Sequence, residues 1–202
     1  MAIGFTKKGK PKYYKYIFGV IVFGLLISVN SILRIGIKIE ISRMLSSVEK
    51  ILLLFQFIAL SLFYTDLLKE SIFYNKTKSF IYLIIIIQIT LTSISIVFKI
   101  PNYLKTFPNS FLIIYSVVYY KDLLKNKPTL ILIQSSPFWI VTGIFFSFCV
   151  SLPIYGLIPF MINYPAYNDL RLQLFSISNM ALIIMYLFII KSYLCLKHPQ
   201  NL

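Results

Sequence analysis

Gln88 interrupts a run of isoleucines and is followed at helical spacing by Thr92, Ser95 and Lys99. Offsets of four, seven and eleven put these residues on one stripe of a helix. Such a stripe can wall a polar cavity, or it can supply interhelical hydrogen bonds worth about 0.6 kcal/mol each. Glu49 and Gln56, two turns apart, share a second face. A carboxylate there can receive a proton or a cationic ligand, or it can pair with Lys50, Arg43 or Lys38. Asn179 lies well inside another apolar run, where its amide needs a partner on a different helix. Glu49, Gln56, Gln88, Thr92 and Asn179 are therefore the candidate ligand contacts, each with a structural role as the plainer alternative.

Small residues form a separate pattern. Gly24 and Ser28 recur at a fourth-residue interval, and so do Trp139, Gly143, Ser147 and Ser151. This spacing lets another helix approach closely, so Gly24, Ser28, Gly143, Ser147 and Ser151 read as packing positions. Lys191 ends the last apolar run and reads as an anchor whose ammonium reaches the headgroups.

The sequence offers no catalytic set. Its single histidine, His198, lies in the tail, so histidine-dependent proteolysis or phosphatase chemistry cannot be assembled. Asp66 and Glu70 are one turn apart beside Lys69, which does not make an intramembrane carboxylate pair. There is no phosphate-cradling glycine loop. Cys149 and Cys195 read as free thiols rather than a disulfide or a metal site. No enzyme activity, metal or cofactor is expected.

The elements that must position these residues follow from composition. Apolar residues make up 58% of the 202, charged residues only 13%, and the mean hydropathy is +0.82. Soluble domains run at about 45–50% apolar and about 25% charged. A chain this poor in polar surface must present its side chains to lipid. The net charge of +14 sits mainly on lysines between or at the ends of apolar runs, densest from Lys7 to Lys15. That placement suits anionic lipid headgroups and argues against nucleic acid. The lysine-rich start followed by Tyr16–Leu33 resembles a signal peptide, but its apolar part is too long and no small-x-small site follows. It reads as an uncleaved first span.

Charge measures depth, because an ion at the bilayer centre costs about 2.5–3.5 kcal/mol or more. Charge-free windows cover Tyr16–Leu33, Ile51–Thr65, Ser79–Phe98, Thr106–Tyr120, Thr129–Asn168 and Leu172–Ile190. The fifth is long, but its breakers Pro153, Pro159, Asn163 and Pro165 cluster in its last third. It reads as one helix over 135–155, then an irregular interfacial segment over 156–168. The expected fold is an all-α, polytopic transmembrane helical bundle, one domain with six spans near 16–34, 47–68, 79–99, 106–124, 135–155 and 172–194. With the N-terminus inside, inner segments carry 13 Lys and Arg against 7 outside. Both termini are then cytoplasmic. The richness in Ile, Lys, Phe, Tyr and Asn over Ala, Gly and Arg fits an AT-rich bacterial genome, so the expected membrane is a bacterial inner membrane. No internal repeat or linker divides the chain.

Three stretches carry a family likeness. SVEKILLLFQFIALSLFYTDLLK has a Glu near the start of a helix and aromatic residues before a basic exit. YYKDLLKNKPTLILIQSSPFWIVTGIFFSF has a Tyr-rich helix, a basic turn with a proline, and the Pro137–Trp139 entry to the next helix. LFSISNMALIIMYLFIIKSYLCL has an inner Asn and an aromatic-rich exit. Together they resemble a group of uncharacterised multi-pass membrane proteins of Bacteroidota, some associated with sensor histidine kinases. The likeness covers roughly Asn30 to Lys197. Those proteins carry one more N-terminal helix than the six expected here, and the resemblance implies no catalytic residues. The resulting expectation is a non-catalytic sensor or scaffold acting through a partner. A small-solute transporter or channel, and an assembly subunit of a membrane complex, are the alternatives.

Overall fold

A computed structural model describes residues 12–33, 39–69, 74–98, 106–126, 135–161 and 164–197. Among them the chain is all-helical. Its helices are α1 (Tyr14–Leu33), α2 (Ile39–Leu67), α3 (Tyr74–Val97), α4 (Thr106–Asn126), α5 (Ser136–Met161) and α6 (Asn168–Lys197), with a 3-10 turn at Pro165–Tyr167. Four are long and apolar enough to cross a membrane, over Leu45–Leu67, Thr77–Val97, Ser136–Ile158 and Asp169–Cys195; the apolar part of α1, Tyr14–Asn30, is shorter. Large apolar side chains stand outside. Phe160 is 76% exposed, Val97 71% and Leu124 69%, surface that suits lipid rather than water.

Three helices, α2, α3 and α6, begin earlier than the charge pattern predicts, α3 at Tyr74 with Lys76 and Lys78. α2 begins at Ile39 and includes Glu40 and Arg43, and α6 begins at Asn168 and includes Asp169 and Arg171. Charge-free windows measure only what must lie in hydrocarbon, and a helix can run on into the headgroups. The segment after Tyr155 also differs from expectation. α5 continues to Met161 through Pro153 and Pro159, and Pro165–Tyr167 forms a 3-10 turn just before α6. In that turn Tyr164 N–H donates to the Met161 carbonyl (3.1 Å) and Tyr167 N–H to the Tyr164 carbonyl (3.0 Å). Each proline forfeits one backbone bond. Leaving the helix would strand several backbone groups in apolar surroundings, so the helix persists.

The chain divides into two compact units, Met1–Ile96 and Val97–Leu202. In the first, α1 and α2 pack antiparallel. Tyr13 meets Phe63 edge-on (5.7 Å between ring centres) and Phe23 stacks on Phe55 (5.6 Å). At the far end Asn30 Nδ2 donates to the Leu45 carbonyl at 3.0 Å. Ile17, Val20, Phe57, Leu60, Phe63 and Tyr64 are buried in this unit. α3 buries one stripe containing Ile81, Ile84, Ile85, Gln88, Thr92 and Ser95.

In the second unit α5 lies between α4 and α6. Tyr120 of α4 donates its hydroxyl to Thr142 Oγ1 (2.9 Å) and meets Phe138 and Phe145 edge-on. α5 and α6 form an antiparallel hairpin with one hydroxyl pair at its open end and another midway along it. Ser136 and Ser192 are 2.7 Å apart, and Ser151 and Ser178 are 3.1 Å apart. Between the pairs, a Cβ built on Gly143 would lie 2.8 Å from Phe188 Cβ and 3.2 Å from the Met185 carbonyl. The hairpin closes this tightly only because position 143 has no side chain.

Candidate functional site

The polar stripe of α3 is buried. Gln88 is 5% exposed, Thr92 6% and Ser95 1%. Hydroxyls on a membrane helix can satisfy themselves on their own backbone, and several do. Thr90 donates to the Ile86 carbonyl and Ser93 to the Ile89 carbonyl, both at 3.0 Å on the exposed side of α3. Gln88, with its longer side chain and two-ended amide, does not. Its Nε2 donates to Thr92 Oγ1 at 3.4 Å, a long bond, and its Oε1 is buried with no donor. Exchanging the amide oxygen and nitrogen would put an unpaired donor in the same place.

The Ser95 end of the stripe is closed by a cation. Lys50 of α2 donates its Nζ to the Ser95 carbonyl at 3.1 Å. Ser95 lies in the last turn of α3, where carbonyls have no partner within the helix and a positive charge suits the helix dipole. Lys50 thus serves α3 instead of only extending to the headgroups. Glu49 beside it is buried, and Gln56 is half-buried on α2. Asn30 holds the end of α1 to α2 at the same end of this unit. Lys50 thus bonds Ser95 at one end of the stripe, and Gln88 bonds Thr92 further along it; among the described residues no hydrogen bond brings Gln56 to them.

Other expected positions fall elsewhere. Asn179 is exposed, not turned inward, because α6 buries a narrow stripe through Ser178, Ala181, Met185, Ile189 and Ser192, and Asn179 sits about 100° round from Ser178. Ser28 is also exposed, and its hydroxyl donates to the carbonyl of Gly24 (3.0 Å), so it is not a contact between helices; Gly24 itself is buried. Gly143, Ser147 and Ser151 are buried on α5, and Ser151 bonds Ser178. Lys191 is exposed with its Nζ 5.9 Å from the centre of the Trp139 ring, which in turn stacks on Phe188. Lys99 lies outside the described residues.

Several anchoring groups escaped the sequence reading: Asn30, the carbonyl-binding role of Lys50, Tyr120 with Thr142, and the partners Ser136, Ser178 and Ser192. The serines leave a trace, since Ser136 and Ser151 on one run and Ser178 and Ser192 on the other each recur at nearly whole numbers of turns. Asp66 and Lys69 form an ion pair one turn apart at the end of α2. Cys149 and Cys195 are not in a disulfide and are partly exposed. Among the described residues no three His, Cys, Asp or Glu side chains gather closely enough to hold a metal. Comparison with known proteins found no matching family model, no matching curated protein and no matching solved structure.

Proposed function

We propose that this protein is a non-catalytic membrane module that senses or scaffolds and acts through a separate membrane partner. The observation that carries this reading is the buried stripe Gln88–Thr92–Ser95, capped by Lys50. A buried glutamine amide on an apolar helix face is costly, and polar groups kept at membrane depth mark sites that bind or switch. The stripe contains no nucleophile paired with a base, so recognition suits it better than chemistry.

The rest of the reading concerns how the chain lies in its membrane. Six spans, with both termini in the cytoplasm of a bacterial inner membrane, fit the lysine distribution. Lys12, Lys15, Lys69 and Lys78 gather at one end of the first unit, and Lys121, Lys125 and Lys191 at one end of the second. Those ends suit anionic headgroups, and Lys15 over Tyr16 and Lys191 over Trp139 add aromatic belts at the same level. A sensor histidine kinase is the partner class that the sequence resemblance favours.

Purification of the full chain in lipid nanodiscs from its native membrane tests this, with mass spectrometry of what accompanies it. A stoichiometric kinase or other signalling membrane protein is the expected result. Flux of protons or alkali cations through the purified protein alone in liposomes would overturn it in favour of a transporter or channel.

A further inference from the structure

We infer that Gln88, with Thr92, binds a small hydrogen-bond donor at the buried face of α3, either a water molecule or a solute bearing O–H or N–H. The inference deepens the recognition reading by naming what the stripe holds. It stands on the Gln88 amide. Gln88 Oε1 is fully enclosed and has two lone pairs without a donor, while its Nε2 makes one long bond to Thr92. A buried carbonyl oxygen left in this state is costly, whereas one that accepts from a bound molecule is not. Buried waters in proteins are held by groups of this kind, typically through two to four bonds.

Two further polar groups bear on such an occupant. The hydroxyl of Thr92 lies one turn from the amide and can give or accept a second bond. Ser61 on α2, fully buried in the same unit, has a hydroxyl that also finds no partner. From the tie between Lys50 and Ser95, at 1.5 Å per residue, Gln88 lies about 10 Å along α3 and Ser61 about 16 Å along α2. Both unpaired groups are thus at membrane depth. A leucine or methionine at position 88 would fill similar space and need no partner, so the glutamine is there for its polar ends.

Water-edited solid-state NMR on the full chain, glutamine-labelled with 15N in deuterated lipid bilayers, tests the inference. Native mass spectrometry of the same preparation accompanies it. A bound water gives transfer from water to the Gln88 side-chain amide, with no adduct mass. A bound solute gives an adduct that the Gln88→Met variant loses. Either result supports the inference, and in both cases Gln88→Met lowers or leaves the Tm, because a bound partner is lost with the amide. No water transfer and no adduct, with Gln88→Met raising the Tm, would overturn it, since the amide would then be an uncompensated buried group. Should Gln88→Met fail to insert, Thr92→Val removes the neighbouring hydroxyl and is read in the same two ways. The partner experiment above is independent, so a dry Gln88 would refute the occupant without touching the question of a signalling partner.

Discussion

Gly143 is the residue at which sequence and packing agree most closely. The fourth-residue spacing of Trp139, Gly143, Ser147 and Ser151 marks a close approach, and the structure supplies the partner: the Met185 backbone and Phe188 of α6. A methyl group there would press on Phe188 Cβ at 2.8 Å and on backbone at 3.2 Å, neither of which is the yielding end of a flexible chain. Gly143→Ala should cost about 1–3 kcal/mol of stability, as overpacking does. Gly19→Ala is the control. Its new Cβ would make ordinary contacts at 3.8 Å with Phe23 and 3.9 Å with Ala59, so it should be neutral or gain about 0.5–1 kcal/mol from helix propensity. Unfolding in mixed detergent, monitored by circular dichroism, separates the two. Equal effects would mean that α5 and α6 are not this close. The Gln88 stripe was also legible, because a polar residue amid isoleucines stands out by type alone. Asn179 stood out for the same reason, yet it lies exposed. Residue type tells that a partner is needed, but only the phase of the buried stripe tells which way the side chain points.

At the scale of elements, the sequence predicted helices from runs without charge, and their cores fall where expected. The ends do not, since α2, α3 and α6 begin in charged sequence that a depth criterion excludes. The prolines of α5 misled for a related reason. In water Pro153 and Pro159 would argue for a helix end, whereas in an apolar medium the remaining backbone groups outweigh the two lost bonds. The register of α5 against α6 could not be read from either strand of sequence alone, because it depends on which serine meets which. Cysteine crosslinking tests it in a background lacking Cys149 and Cys195. Ser136→Cys with Ser192→Cys, and Ser151→Cys with Ser178→Cys, should each form a disulfide, because their hydroxyls lie 2.7 Å and 3.1 Å apart. The mixed pair Ser136→Cys with Ser178→Cys should not. Crosslinking of the mixed pair at a comparable yield would contradict the antiparallel register.

At the scale of the whole molecule, composition carries the argument. A chain with so few charges, whose helices expose Phe160, Val97 and Leu124, fits a bilayer and would aggregate in water. Among the described residues four helices have the length and apolarity to cross; the proposed six-span topology requires that α1 and α4 cross as well. α4 is the more telling of the two. Its apolar window is short, and in the proposed topology it completes a span only if the flanking lysines of the sequence reach headgroups. The most direct test fuses paired reporters, one fluorescent only in the cytoplasm and one active only outside it, at Leu202 and in the segments joining successive helices. Six spans with cytoplasmic ends predict cytoplasmic signal at Leu202 and at 127–134, and external signal at 99–105. External activity at Leu202, or the same side for 99–105 and 127–134, would contradict the account.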